Sequence, residues 1–224
     1  MALNGSGVYP RVTLNPSTLS FGEVEVGYSS SKMTSTLTNS GTVSLSITKI
    51  ALSGSDPGAY SETNNCIGTL AANATCTITV TFKPTAEGQQ DASVTITDDT
   101  SDGSNTLTLT GSGSLPTATL SPNNDSFGTI TVGKSSSAKV STLTNTSSSY
   151  LLTVSSIAIT GTNAADFSQT NSCPIGKTLA AGATCTISVT FKPSASGTRT
   201  ATLTEYDNSA TGSHTISLAG YGAN

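Results

Sequence analysis

The chain has 224 residues, a formal net charge of −4 and only 10% charged residues, with 21 glycines, four cysteines, one histidine and no tryptophan. Its nine Lys and Arg are scattered singly, which excludes the concentrated basic face that nucleic acid needs, and no run approaches the roughly 18 apolar residues of a membrane-spanning helix. Ser and Thr supply about a third of the sequence, and Ile, Val and Phe recur at strand spacing, so the composition indicates an all-β fold rather than disorder.

Read from the start, the stretch from Ala2 to Pro10 repeats the pattern from Thr108 to Pro116, where a first domain ends. Residues 1–8 are therefore expected to be the end of a preceding repeat or a disordered leader, 9–113 a first domain and 114–224 a second. The opening lacks the basic-then-apolar layout of a secretion signal, which suggests a processed chain or a piece of a longer tandem array. The first strands are expected at 12–14 and 19–26, broken by Pro16, and their counterpart at 119–132, broken by Pro122. Met33, Ser35, Leu37 and Asn39 then alternate on one face. Leu45, Ile47, Ile50 and Leu52 form a further strand whose doubled step between Ile47 and Ile50 predicts a bulge. Tyr60 and Phe167 follow as aromatic plugs of the two cores.

The clearest signal comes next. From Cys66 to Pro84 and again from Cys173 to Pro193 the same block occurs, and after the second cysteine each copy alternates strictly. Cys76, Ile78, Val80 and Phe82 face one way and Thr77, Thr79, Thr81 and Lys83 the other, as a half-buried strand requires. A turn at Gly88 or Gly197, a strand through Ala92, Val94 and Ile96 or Ala201 and Leu203, and a last strand to Leu109 or Leu218 complete each copy. About seven short strands per copy with frequent turn signals predict two tandem immunoglobulin-like β-sandwiches. The short stretch 111–116 is expected to link them with limited bending.

Nine residues separate Cys66 from Cys76 and eleven separate Cys173 from Cys185. Such loops suit one disulfide per domain. The competing zinc reading has no CxxC spacing, and His214 lies far from either pair in sequence. Persistent disulfides imply an oxidising place, whether periplasm, cell surface or medium. His214 has no counterpart in the first copy and is read as a solvated residue at the start of an edge strand, so no nucleophile–base pair is available and no enzyme is expected. Asp98, Asp99 and Asp102 crowd one turn and are a weak calcium candidate. Their spacing departs from the EF-hand pattern and the second copy keeps only Asp207 there, so the reading assigns no metal and no cofactor.

The joint order of motifs resembles a known family. Leu19, Phe21, Gly22, Val24, Val26 and Gly27 are followed by Leu37-Thr38-Asn39, by Gly54-Ser55-Asp56, by the cysteine block ending at Phe82 and Pro84, and by Leu109, Gly111 and Gly113. This order is similar to the bacterial choice-of-anchor D repeats, within the wider group of Hydin-like and abnormal-spindle-like domains related to the major sperm protein fold. The resemblance implies seven- or eight-stranded immunoglobulin-like sandwiches in tandem, within large exported bacterial proteins that share no catalytic activity. Asp125 stands where the first copy has Leu19, so the opening strand of the second copy is expected to be less buried.

These readings converge on a non-catalytic structural module of an exported surface or fibre protein. Its expected partners are neighbouring repeats and, through edge strands, copies of itself. The alternative is an adhesin whose turns at 55–59, 98–105 and 146–150 recognise a protein or glycan.

Overall fold

The alternation after Cys76 and Cys185 folds as a central strand in each copy, with Cys, Ile, Val and Phe buried. The computed structural model describes residues 8–224, so the expectation for the first residues falls, for 1–7, outside the described residues. The chain divides between Ser114 and Leu115 into two units.

In the first unit the order is β1 (Val12–Asn15), β2 (Thr18–Glu25), β3 (Met33–Asn39), β4 (Leu45–Ser53), a 3-10 turn (Pro57–Ala59), β5 (Tyr60–Asn64), β6 (Gly68–Leu70), β7 (Thr75–Phe82), β8 (Gly88–Gln89), β9 (Ala92–Asp98) and β10 (Ser104–Ser114). One sheet is ordered β1-β3-β7-β5 and the facing one β2-β10-β9-β4-β6, with β8 also paired to β10. The second unit repeats this with β11 (Ala118–Ser121), β12 (Asn124–Thr131), β13 (Lys139–Asn145), β14 (Leu152–Thr160), a 3-10 turn (Ala164–Asp166), β15 (Phe167–Asn171), β16 (Thr178–Leu179), β17 (Thr184–Phe191), β18 (Gly197–Asp207) and β19 (Ser213–Ala223). Its sheets are β11-β13-β17-β15 and β12-β19-β18-β14-β16. Both units are immunoglobulin-like β-sandwiches.

The segments outnumber the seven strands expected because β5, β6 and β8, and in the second unit β15 and β16, add to them. The opening strand is divided between the sheets. β1 runs antiparallel to β3, whereas β2 crosses over and runs parallel to β10. Pro16 and Pro122, which have no N–H to give a ladder, sit at the crossing in each copy. The expected bulge lies between Ile47 and Lys49, and again between Val154 and Ser156. The expected linker is different: Ser112, Gly113 and Ser114 pair with Glu23, Val24 and Glu25, so most of the stretch 111–116 belongs to β10 and only 115–117 lie between strands.

Each core is sealed by three rings. Phe21, Tyr60 and Phe82 have centroid separations of 5.7, 5.8 and 4.8 Å, and Phe127, Phe167 and Phe191 repeat them at 5.8, 5.8 and 4.9 Å. Phe82 and Phe191 are fully buried, a burial that stabilises by about 1.5–3 kcal/mol each. The first glycine of the terminal Gly-x-Gly motif makes room for these rings, and the second for a neighbouring backbone. A Cβ on Gly111 would lie 2.6 Å from the Phe82 ring, and a Cβ on Gly220 would collide with Phe191 in the same way. A Cβ on Gly113 or Gly222 would overlap the carbonyl of Ala86 or Ala195.

The Leu-Thr-Asn motif also has a physical role. Asn39, wholly buried, donates from Nδ2 to the carbonyls of Val43 and Leu70 at 2.8 and 3.0 Å and accepts the N–H of Gly41 at 3.1 Å. Asn145 makes the corresponding bonds to Tyr150, Leu179 and Ser147 at 2.9, 2.9 and 3.0 Å. One side chain thereby holds a turn and a short neighbouring strand, satisfying backbone groups that would otherwise be buried without partners.

One expectation is overturned. Asp125 does not loosen the opening strand; it pairs with Leu218 as Leu19 pairs with Leu109, and it is only 3% exposed. The ladder fixes the backbone of β12, so the side chain points inward whatever its polarity. Burial pushes the Asp125 carboxyl above its ordinary value, against the opposing pull of the Lys139 charge.

Candidate functional site

Two covalent links stand at matching places. Cys66 bonds Cys76 with an S–S distance of 2.08 Å, and Cys173 bonds Cys185 at 2.05 Å. In each copy an asparagine side chain two residues earlier accepts the first cysteine's N–H, Asn64 at 3.0 Å and Asn171 at 3.1 Å, which sets the chain leaving β5 or β15 against β7 or β17. All four cysteines are buried. Closing loops of this length stabilises by about 2.7 kcal/mol each through the entropy of the unfolded chain.

The acidic turn does not gather its carboxylates. Asp98 points inward, where Oδ1 accepts from the Thr100 N–H and hydroxyl at 3.0 and 2.6 Å and Oδ2 accepts from Asn105 Nδ2 at 2.8 Å. Asp99 Oδ1 accepts the Ser46 N–H at 2.8 Å, and Asp102 is exposed at the rim of a shallow concavity of about 350 Å³ with Arg11 and Ser40. The oxygens close a hairpin and tie it to β4.

A different set converges. Among the described residues, Glu205, Asp207 and His214 bring one potential ligand atom each to within 4.8 Å of one another. Glu205 and His214 are directly paired across β18 and β19. Both strands lie inside the sheet, so the expectation that His214 starts an edge strand and is solvated fails: its side chain is 15% exposed and Nε2 lies 3.4 Å from Asp207 Oδ2 and 3.3 Å from Thr211 Oγ1. Glu205 has no exposed surface, and neither of its carboxylate oxygens has a hydrogen-bond partner. Burial, then the charge of the neighbouring Asp207, push Glu205 up to about 8. The sequence carried a signal for this residue. After Ala201 and Leu203 the alternation calls for an apolar side chain, and the first copy has Ile96 there.

A second polar exchange distinguishes the copies. Beside β5 the first copy has Ala59, Tyr60 and Gln90; the second has Asp166, Phe167 and Arg199. Tyr60 donates to the Gln90 carbonyl at 2.6 Å, and the Gln90 amide exchanges hydrogen bonds with Thr85. In the second copy Arg199 Nε donates to Asp166 and Nη2 to Ser194 at 3.0 Å.

These sandwiches match known domains. Residues 10–112 match the family model for the HYDIN/CFA65/VesB-like Ig-like domain, and residues 120–223 match that for Cep192 domain 4. The first unit is thus of the Hydin-like kind and the second of the Cep192 kind. No curated protein matches the chain. Among solved structures, the chain is similar to a protein of unknown function from Porphyromonas gingivalis W83, at 10% identity and a TM-score of 0.40, covering 94% of this chain and 99% of that one. It is also similar to the secreted serine protease VesC from Vibrio cholerae, at 16% identity and a TM-score of 0.37, over 84% of this chain and 47% of VesC. A third is the ASH/PapD-like domain 7 of human CEP192, at 17% identity and a TM-score of 0.35, over 50% of this chain and 92% of that domain.

Proposed function

We infer that the chain is a non-catalytic structural module of an exported tandem-repeat protein, with each immunoglobulin-like domain stapled by its own disulfide. The observation that carries this reading is the recurrence of one disulfide at the same place in both domains. A staple that raises the free energy of the unfolded chain suits a domain that must persist without chaperones, and it forms only where thiols are oxidised. Periplasm, cell surface or medium is accordingly the proposed location. Among the described residues no helix is long and apolar enough to cross a membrane. The motif order resembling choice-of-anchor D repeats supports a bacterial surface array, in which neighbouring repeats and the edge strands β1, β5, β11 and β15 of other copies are the partners.

One observation favours recognition as a second reading. The concavity edged by Arg11, Ser40 and Asp102 has a counterpart of about 310 Å³ at Thr117, Thr146 and Tyr150, at the same end of the other sandwich but with a different lining. A constant place with variable side chains is how a loop-borne binding surface is built.

Fractionating the source cells and alkylating thiols before lysis tests the leading reading. The expected result is chain in the surface or periplasmic fraction with all four cysteines blocked until reductant is added. Cytosolic chain with reactive thiols would overturn it. Immobilised chain screened against matrix proteins and glycans, with Arg11→Ala and Tyr150→Ala as controls, separates spacer from adhesin.

A further inference from the structure

We propose that Glu205, Asp207 and His214 form a binding site for one divalent transition-metal ion, zinc fitting best, in the second domain and not in the first. Three observations carry it. The first is geometry: two protein ligands on a tetrahedral zinc lie about 3.3 Å apart, given bond lengths near 2.0–2.1 Å. Asp207 Oδ2 and His214 Nε2 are 3.4 Å apart, and the Glu205 carboxylate lies within the 4.8 Å spread of the set. A side-chain rotation that moves a carboxylate oxygen by about 1.5 Å closes the remainder.

The second observation is the state of the oxygens. Both oxygens of Glu205 and Oδ2 of Asp207 are buried and have no hydrogen-bond partner. A buried carboxylate without a partner is strongly unfavourable, and a metal ion is the partner that would satisfy all three oxygens at once. Asp207 Oδ1 is meanwhile held by the Ser209 N–H at 2.7 Å, which orients Oδ2 as an outer-shell contact orients a ligand.

The third is the internal comparison. The hairpin is the same in both copies: Asp98 N–H reaches Gly103 O and Asp207 N–H reaches Gly212 O, each at 3.1 Å, and both glycines have φ of 71°. On that shared frame the first copy places Ile96, Asp98 and Asn105, and Asn105 satisfies Asp98 directly. The second copy keeps the aspartate and replaces isoleucine by glutamate and asparagine by histidine. Both replacements turn a side chain that cannot bind zinc well into one that can. One imidazole with two carboxylates suits zinc or a related ion, whereas calcium and magnesium favour all-oxygen shells.

The test uses the full chain without an affinity tag, stripped with chelator and titrated with Zn²⁺ by calorimetry and with Co²⁺ by visible absorption. Three variants accompany it: Glu205→Ile and His214→Asn, which install the residues of the first copy, and the near-isosteric Glu205→Gln. The expected result is one Zn²⁺ per chain, increased hydrogen-exchange protection confined to β18 and β19, and a Co²⁺ spectrum of low coordination number. Each variant should weaken binding by about 100-fold or more while keeping the fold. Glu205→Ile guards against misfolding, because without metal it should be more protected than the parent. Absence of saturable Zn²⁺ binding, or binding that the three substitutions leave unchanged, overturns the proposal. The first of these outcomes would leave Glu205 and Asp207 as a carboxyl pair sharing a proton.

Discussion

Replacing Arg199 by methionine removes the cation from Asp166 while keeping the length of the side chain. Asp166 is 2% exposed at its side chain and Arg199 19%. Breaking a buried ion pair by deleting one partner costs about 3–5 kcal/mol, because the remaining charge is stranded. Here the lower end applies, since Asp166 Oδ1 still accepts the Ser194 N–H at 3.1 Å and the Arg199 site is partly open to water. A loss of about 3 kcal/mol in a domain of this size lowers its melting temperature by roughly 10–15 °C. The double replacement Asp166→Ala with Arg199→Gln behaves differently. It installs the residues of the first copy, where the Gln90 amide accepts the Thr85 N–H and donates to the Thr85 hydroxyl at 3.0 Å each. Ser194 offers the same two groups, so the double variant should lie within about 1 kcal/mol of the parent. Hydrogen exchange along a urea series gives the assay, with peptides from β17 and β18 reporting on the second domain and peptides from β7 and β9 as the internal control. The pH dependence adds a signature. Burial pushes the Asp166 carboxyl up, but the hydrogen bonds from Arg199 and Ser194 outweigh it and hold it below the ordinary value. Its contribution is therefore present above the usual carboxylate range and lost as pH falls through the lowered value, so the gap between parent and Arg199→Met should narrow in acid. A single-variant loss below about 1 kcal/mol, or a double variant as unstable as the single, would refute the reasoning.

Burial, then the charges of Asp91 and Asp56, push the Tyr60 hydroxyl up to about 12, so the folded first domain holds that proton longer than the unfolded chain. Stability from this group is complete below about pH 10 and is lost as pH rises toward 12, on the order of 2–3 kcal/mol. Tyr60→Phe should cost about 1 kcal/mol at neutral pH for the lost bond to Gln90 and overtake the parent by pH 12 in urea titrations; parallel pH profiles would count against this. Gly111→Ala and Gly220→Ala should each destabilise their own domain by about 1–3 kcal/mol by displacing a phenylalanine ring, and Phe82→Leu should partly rescue the former. Reduction at constant pH should lower both domains by similar amounts, about 2.7 kcal/mol, read as paired shifts of the urea midpoints with and without reductant.

The fold was largely legible because its determinants are local and periodic. Strict alternation from Cys76 to Phe82 can satisfy water on one face and a core on the other only as a strand, and its repetition from Cys185 to Phe191 makes two domains. Gly88 and Gly197, at φ of 93° and 100°, mark turns that other residues rarely adopt. The cysteine places, equal in both copies, indicated the staples. The candidate sites were not legible in the same way. Asp125 and Glu205 break the apolar pattern, and a break alone does not reveal whether the strand turns outward or the charge turns inward. His214 is alone in the sequence yet has Glu205 opposite it and Asp207 beside it, because the hairpin folds residues 205 and 214 into register. Asp98, Asp99 and Asp102 are neighbours in sequence, yet Asp98 ends β9 facing inward, Asp99 turns to the Ser46 N–H of β4 and the turn carries Asp102 out. The sequence by itself thus determined the strand pattern, the two-domain repeat and the cysteine framework, since each follows from spacing along the chain. Which polar groups are buried, and which of them meet, was decided only by tertiary structure, because those contacts join strands whose separation in sequence carries no record of their distance in space.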